Sequence, residues 1–253
     1  MKIISVAQLL NTSEQILDDL RSLIVRSCPP NGGADRLRVG LVLTIAEQFE
    51  ATLRLANAQM STHSATHVRS MIEALIAMKM LESDSGYVDQ MRYEKLRGER
   101  RVYKGILADP NISEHLKKPI KESYDICNSE CEALRAAGRK PKKISDDLGT
   151  AQLWHLISPY SMLCAFSHND LAVLAFRHQG EKSMVYKQDE PPEFVQAVVS
   201  TALLVLMDAT HQFGKIAKFP VDHFDSVFAA MNQKWSTVVD TSCQGSLTII
   251  AES

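Results

Sequence analysis

Apolar residues recur at the helical period along most of this chain. Over residues 12–28, Ile16, Leu20, Leu23 and Ile24 form one stripe, and Thr12 with Gln15 three residues on has capping-box spacing. Cys-Pro-Pro-Asn-Gly-Gly at 28–33 breaks the pattern. A second helix is predicted over 34–60, carried by Leu37, Leu41, Ile45 and Phe49. Residues 61–64 read as a short break whose hydroxyls cap a third helix at 65–81. There Val68, Met71, Ile72, Leu75, Ile76 and Met78 make a wide apolar face. Further helices are predicted at 88–108, at 113–137 with Pro119 at a kink or first turn, and at 147–156 around Trp154. Residues 193–216 read as a deeply buried helix and 221–239 as the last. The tail, 241–253, loses the period and is expected to be loosely ordered.

The stretch 159–176 stands out because it is apolar nearly all the way round, the mark of a buried helix. Ser167, His168, Asn169 and Asp170 interrupt it in a row. Buried polar groups without partners cost about 1–3 kcal/mol each, so these four either form a site or cap a helix break. Ser167 and Asp170, three apart, have cap spacing.

Few glycines, prolines and aromatics, with much Ala, Leu, Met, Glu, Lys and Arg, favour helix over strand. The expectation is an all-α fold, a single multi-helix bundle of about eight helices over 1–240. Five scattered cysteines without a Cys-x-x-Cys pair suit a reduced compartment. The N-terminus lacks a secretory pattern, and the longest apolar run, 197–207, is too short to cross a bilayer. A cytoplasmic protein without a membrane partner is expected.

Net charge is −2, but its distribution is uneven. Residues 92–143 carry 14 Lys+Arg against 8 Asp+Glu, a net +6, which leaves −8 on the rest. Arg97, Arg101 and Lys104 share a helix face, and 139–143 is a compact basic loop. Such a segment attracts phosphates, RNA or an acidic protein partner, or else is a solvated surface.

Three sets of residues permit chemistry. Arg69 and Glu73, four apart, lie on one helix side and either orient a site or form a surface ion pair. His168 lines up with Cys164 and Tyr160 and is a candidate general acid/base, given a phosphate or carboxylate held by Arg69. His63 and His67, four apart, have the spacing of a metal pair, although no Glu follows the first as in zinc proteases. No cofactor motif is present.

Two stretches carry a family resemblance. His-Val-Arg-Ser-Met-Ile-Glu at 67–73 and Tyr-Ser-Met-Leu-Cys-Ala-Phe-Ser-His-Asn-Asp at 160–170 resemble two helices of an uncharacterised bacterial helical family, a domain of unknown function. Tyr93 and Trp154 fall where that family tends to place aromatics. The resemblance spans about 34–176 and implies that Arg69, Glu73, Tyr160, Ser167, His168 and Asp170 converge. Such bundles are similar to HEPN-type proteins, many of which bind or cut RNA in toxin or phage-defence systems. The ribonuclease pattern there sets a His four to six residues after an Arg on one helix. Arg69 has no such His, and Arg177 is directly beside His178.

Three functions follow as expectations. The first is a pocket for a phosphate-bearing ligand, RNA or nucleotide, with or without its cleavage: Arg69, Tyr160 and Ser167 bind, His168 moves a proton, and Glu73 and Asp170 orient. The second is a non-catalytic regulatory protein whose polar cluster fixes helix register. The third is a metal-dependent hydrolase using His63 and His67. Surplus apolar surface would also suit a homodimer.

Overall fold

A computed structural model describes residues 5–168 and 170–238. Among them are ten α-helices, one 3₁₀ turn and no strand, so the fold is all-α. The predicted tail, 241–253, and Asn169 lie outside the described residues.

Helix α1 (Val6–Arg26) starts earlier than the periodicity suggested. Its N-cap is Ser5, whose Oγ accepts from the Gln8 N–H at 3.1 Å, while Thr12 is buried mid-helix. The chain holds two hydroxyl-x-x-Gln signals, and the first wins because Leu9 and Leu10 extend the buried stripe backwards. After the break come α2 (Gly33–Asn57) and α3 (Ser61–Ser83), joined through Gln59 at φ +57°. Residues 61–64 are the first turn of α3 rather than a break.

Helix α9 (Pro192–Ile216) is the centre of the bundle. It packs against α1, α2 and α3, and α1 also holds α10 (His223–Val238). Val195, Val198, Val199, Ala202, Leu203, Val205 and Leu206 are all buried, as the sequence predicted. Among the described residues, α9 is the one helix long and apolar enough to cross a membrane, and more than half of its apolar window is buried inside the bundle.

The stretch 159–176 breaks at its polar residues, one of the two alternatives, and is less buried than expected. It is two short helices, α7 (Ile157–Ser167) and α8 (Leu171–His178), with only Leu163 and Val173 fully buried. Helix α7 packs chiefly along α3, and its Phe166 meets Phe176 of α8 and Phe194 of α9. Leu171 is 82% exposed. This split, absent from the expected eight-helix count, is one source of the larger number.

Helices α4 (Tyr87–Leu107) and α5 (Glu114–Ala136) form an antiparallel arm. Its root is set on α3, where Tyr87, Val88 and Met91 cover Ala77 and Leu81. Beyond the root, Tyr93, Leu96, Cys127 and Cys131 form a small core of their own. At 21 and 23 residues the two helices are each about 30 Å long. Val102 and Ile126 stand exposed on this arm. Pro119 sits within α5 in its second turn. Helix α6 (Ile144–Thr150) and the 3₁₀ turn Trp154–Leu156 return the chain to the bundle, burying Leu148, Leu153 and Leu156.

Candidate functional site

Helices α3 and α7 bring three of the six candidate residues together. Arg69 and Glu73 are one turn apart on α3, and Tyr160 faces them from α7. The Tyr160 hydroxyl accepts from Arg69 Nε at 3.2 Å and donates to Glu73 Oε1 at 2.8 Å. Arg69 Nη2 reaches the same carboxylate oxygen at 3.1 Å, closing a triangle. Burial pushes the Tyr160 phenol up, the Arg69 hydrogen bond opposes this, and the carboxylate of Glu73 adds to it. The Arg69 guanidinium is held protonated more firmly, chiefly by Tyr160. Arg69 and Glu73 remain about a third exposed, so the ion pair itself is worth little.

The other three candidates serve the helix break. Ser167 Oγ donates back to the Leu163 carbonyl at 2.8 Å, the usual hydroxyl bond to residue i−4. His168 is the exposed C-cap of α7. Asp170 is itself the N-cap of α8, its Oδ1 accepting from the Ala172 N–H at 3.1 Å. The six residues therefore do not all converge as the resemblance implied. The cap spacing of Ser167 and Asp170 marks a helix boundary, with Asp170 rather than Ser167 as the cap.

His63 and His67 turn to different partners. His63 Nδ1 meets Thr62 Oγ1 at 3.1 Å, whereas His67 Nδ1 bonds Gln48 Oε1 on α2. Four-residue spacing puts both on one helix side, but α2 captures only the second. No group of three or more His, Cys, Asp or Glu able to hold a metal occurs among the described residues.

The basic segment is better organised than its sequence suggested. Loop 139–143 is pinned to α4: Glu94 Oε1 accepts from the Lys142 N–H at 2.8 Å, Gln90 Nε2 donates to the Lys140 carbonyl at 2.7 Å, and Arg139 donates to the Gly86 carbonyl at 3.1 Å. Lys142 lies over the Tyr87 ring, 4.7 Å from its centroid. Burial pulls the Lys142 ammonium down and pushes the Asp147 carboxyl and the Tyr87 phenol up. Sequence reasoning missed this cluster because its bonds run between a helix and a loop some 50 residues on.

Farther out on the arm, Arg97, Arg100, Arg101, Lys104, Tyr124 and Asn128 line an open cleft of about 290 Å³. Arg97 is paired with Glu94 at 2.7 Å, and Arg100 with Glu132 at 2.6 Å and Asn128 at 3.2 Å. Arg101 and Lys104 are exposed and make no ion pair or side-chain hydrogen bond with described residues. Spacings of four and three put Arg97, Arg101 and Lys104 on one face.

No curated protein and no solved structure matches the chain. The segment holding both the Arg69–Tyr160–Glu73 triangle and the basic arm does match a family model, and over residues 35–184 this chain belongs to a family of unknown function, DUF5677.

Proposed function

We propose that this protein binds a phosphate-bearing ligand, RNA in particular, through the cleft on the α4–α5 arm. The observation that carries the reading is the pair Arg101 and Lys104, cations without partners among the described residues, beside two further arginines. A cation already neutralised by a carboxylate gains little from a phosphate; one bathed in solvent releases counterions when it meets one. Tyr124 gives the cleft an aromatic wall on which a base can stack. Asn128 adds an amide that donates or accepts. Among the described residues no histidine or carboxylate lines the cleft, so the reading is binding rather than cleavage.

The test is binding of a labelled single-stranded RNA, followed by anisotropy over a range of salt. The double variant Arg101→Glu/Lys104→Glu should lose about tenfold in affinity or more, and its log–log salt slope should fall by about 1.5, the share of two phosphate contacts on a single strand. Equal affinity for the variant, or no saturable binding by the wild type at low salt, sinks the proposal.

For the Arg69–Tyr160–Glu73 triangle a structural reading is favoured, because the phenol both accepts and donates within it. Such a network fixes how α7 sits on α3. Tyr160→Phe should lower stability by about 1 kcal/mol and leave RNA affinity unchanged. A loss of affinity in the folded variant would instead make the triangle part of the binding site.

A further inference from the structure

A second cavity, of about 140 Å³, lies where the end of α2 and the start of α3 meet the segment between α8 and α9. It shares no residue with the cleft on the arm. Thr62, His63, Arg177, His178, Lys187 and Glu190 line its polar side. Arg177 and His178 end α8, and Arg177 Nη2 donates to the Thr62 carbonyl at 2.7 Å. Lys187 Nζ donates to the Ala58 carbonyl at 2.7 Å. Burial holds the His63 imidazole below its ordinary pKa, and the nearby Arg177, His178 and Lys187 act in the same direction against Glu190.

Glu190 fills this cationic frame. Its Oε2 accepts from the Ser61 N–H and its Oε1 from the Thr62 N–H, both at 2.7 Å. The carboxylate comes from 129 residues away in sequence to Ser61, and from a segment without helix or strand at that point. It therefore sits as a free oxyanion would at these two amides. One polar group beside it is left over. Ser61 Oγ, on the residue whose N–H holds Oε2, is fully buried and has no hydrogen-bond partner among the described residues. A planar carboxylate brings two oxygens, each accepting from one amide here and neither from Ser61 Oγ. A tetrahedral oxyanion offers more, one of which can accept from Ser61 Oγ while another faces the cavity cations. With Glu190 rotated out, Asp189 is the one carboxylate left among the lining residues.

We propose that this cavity is a binding site for a phosphate group, and that the Glu190 carboxylate occupies the place of that group in the unliganded chain. Competition from Glu190 lowers the apparent affinity by the fraction of molecules in which the site is open. The ligand is a phosphate or the phosphate end of a small molecule, since the cavity is too small for a strand of nucleic acid.

The probe is inorganic phosphate, titrated at constant ionic strength into the full chain, with amide resonances and calorimetry as readouts. Glu190→Ala should bind about tenfold more tightly than wild type, because the internal competitor is gone. The Ser61 and Thr62 amide resonances should move with saturation. Adding Ser61→Ala to that variant should take back about threefold of the gain, the share of one neutral hydrogen bond. Glu190→Gln keeps the shape and removes the charge, so it separates competition from folding: it too should bind phosphate more tightly, with the helical spectrum unchanged. Phosphate affinity equal in wild type and both Glu190 variants overturns the proposal, as does tightening that leaves the Ser61 and Thr62 resonances where they were.

Discussion

Phe213→Ala is expected to destabilise the protein by about 3–5 kcal/mol, and Leu171→Ala by less than about 0.5 kcal/mol. Phe213 is fully buried on α9, its ring set edge-on to Phe219 with centroids 5.3 Å apart. Truncation removes the transfer free energy of a benzyl group and leaves a void that the surrounding core closes only in part. Leu171 is 82% exposed at the start of α8, so its loss changes little that was out of water. Urea unfolding of both variants, followed by circular dichroism, checks the pair. Comparable losses would mean that α8 is as central as its sequence looks and that the bundle is arranged around it.

That contrast also separates what the sequence reveals from what it hides. Helix content was legible because periodicity is a local property: α3 and α9 bury the positions their patterns marked. Residues 159–176 misled because a stretch apolar on every side carries no phase. It says that the segment can be buried, not which neighbours exist to bury it. The neighbours are few at the bundle edge, and the apolar surface stays half exposed. The local signal within the stretch was sound, since Asp170 is where a new helix starts. What failed was the expectation of burial; the break at 167–170 was one of the two alternatives left open.

The candidate sites divide along the same line. Arg69 and Glu73 were visible from their spacing, one turn apart on a helix. Tyr160, 91 residues beyond Arg69, is tied to them only through packing of α7 on α3; a resemblance suggested it and spacing never would. Glu190 left no trace at all. Its partners are backbone amides, which every residue but proline carries, so no residue type marks them. The hydroxyls at 61–64 seemed sufficient to start α3. Instead Ser64 Oγ turns to the Ser61 carbonyl at 2.6 Å, and the cap arrives from the loop before α9. The arm cleft was half legible: the face made by Arg97, Arg101 and Lys104 followed from helical spacing. Which of these cations remain uncompensated depended on where Glu94 and Glu132 lie in space.

Gly214→Ala should destabilise the protein by about 1–3 kcal/mol, even though alanine is the better helix former by about 1 kcal/mol. Gly214 lies near the end of α9, and a Cβ there would come within 2.2 Å of Phe224 Cζ and 2.3 Å of Cε1. No real contact is that short, so the ring must move. It has little room: Phe224 stacks on Phe228 at 5.4 Å and packs on Phe219 at 5.1 Å. The aromatic group bridges α9 and α10, and displacing one ring disturbs the seating of α10. The argument predicts a change of sign. With Phe224→Ala as background, the clash disappears and only the helix propensity of alanine remains. Gly214→Ala should then stabilise by about 0.5–1 kcal/mol. A double-mutant cycle measured by thermal unfolding reads both numbers. If Gly214→Ala destabilises equally in both backgrounds, the close approach of Phe224 is not what keeps this position a glycine.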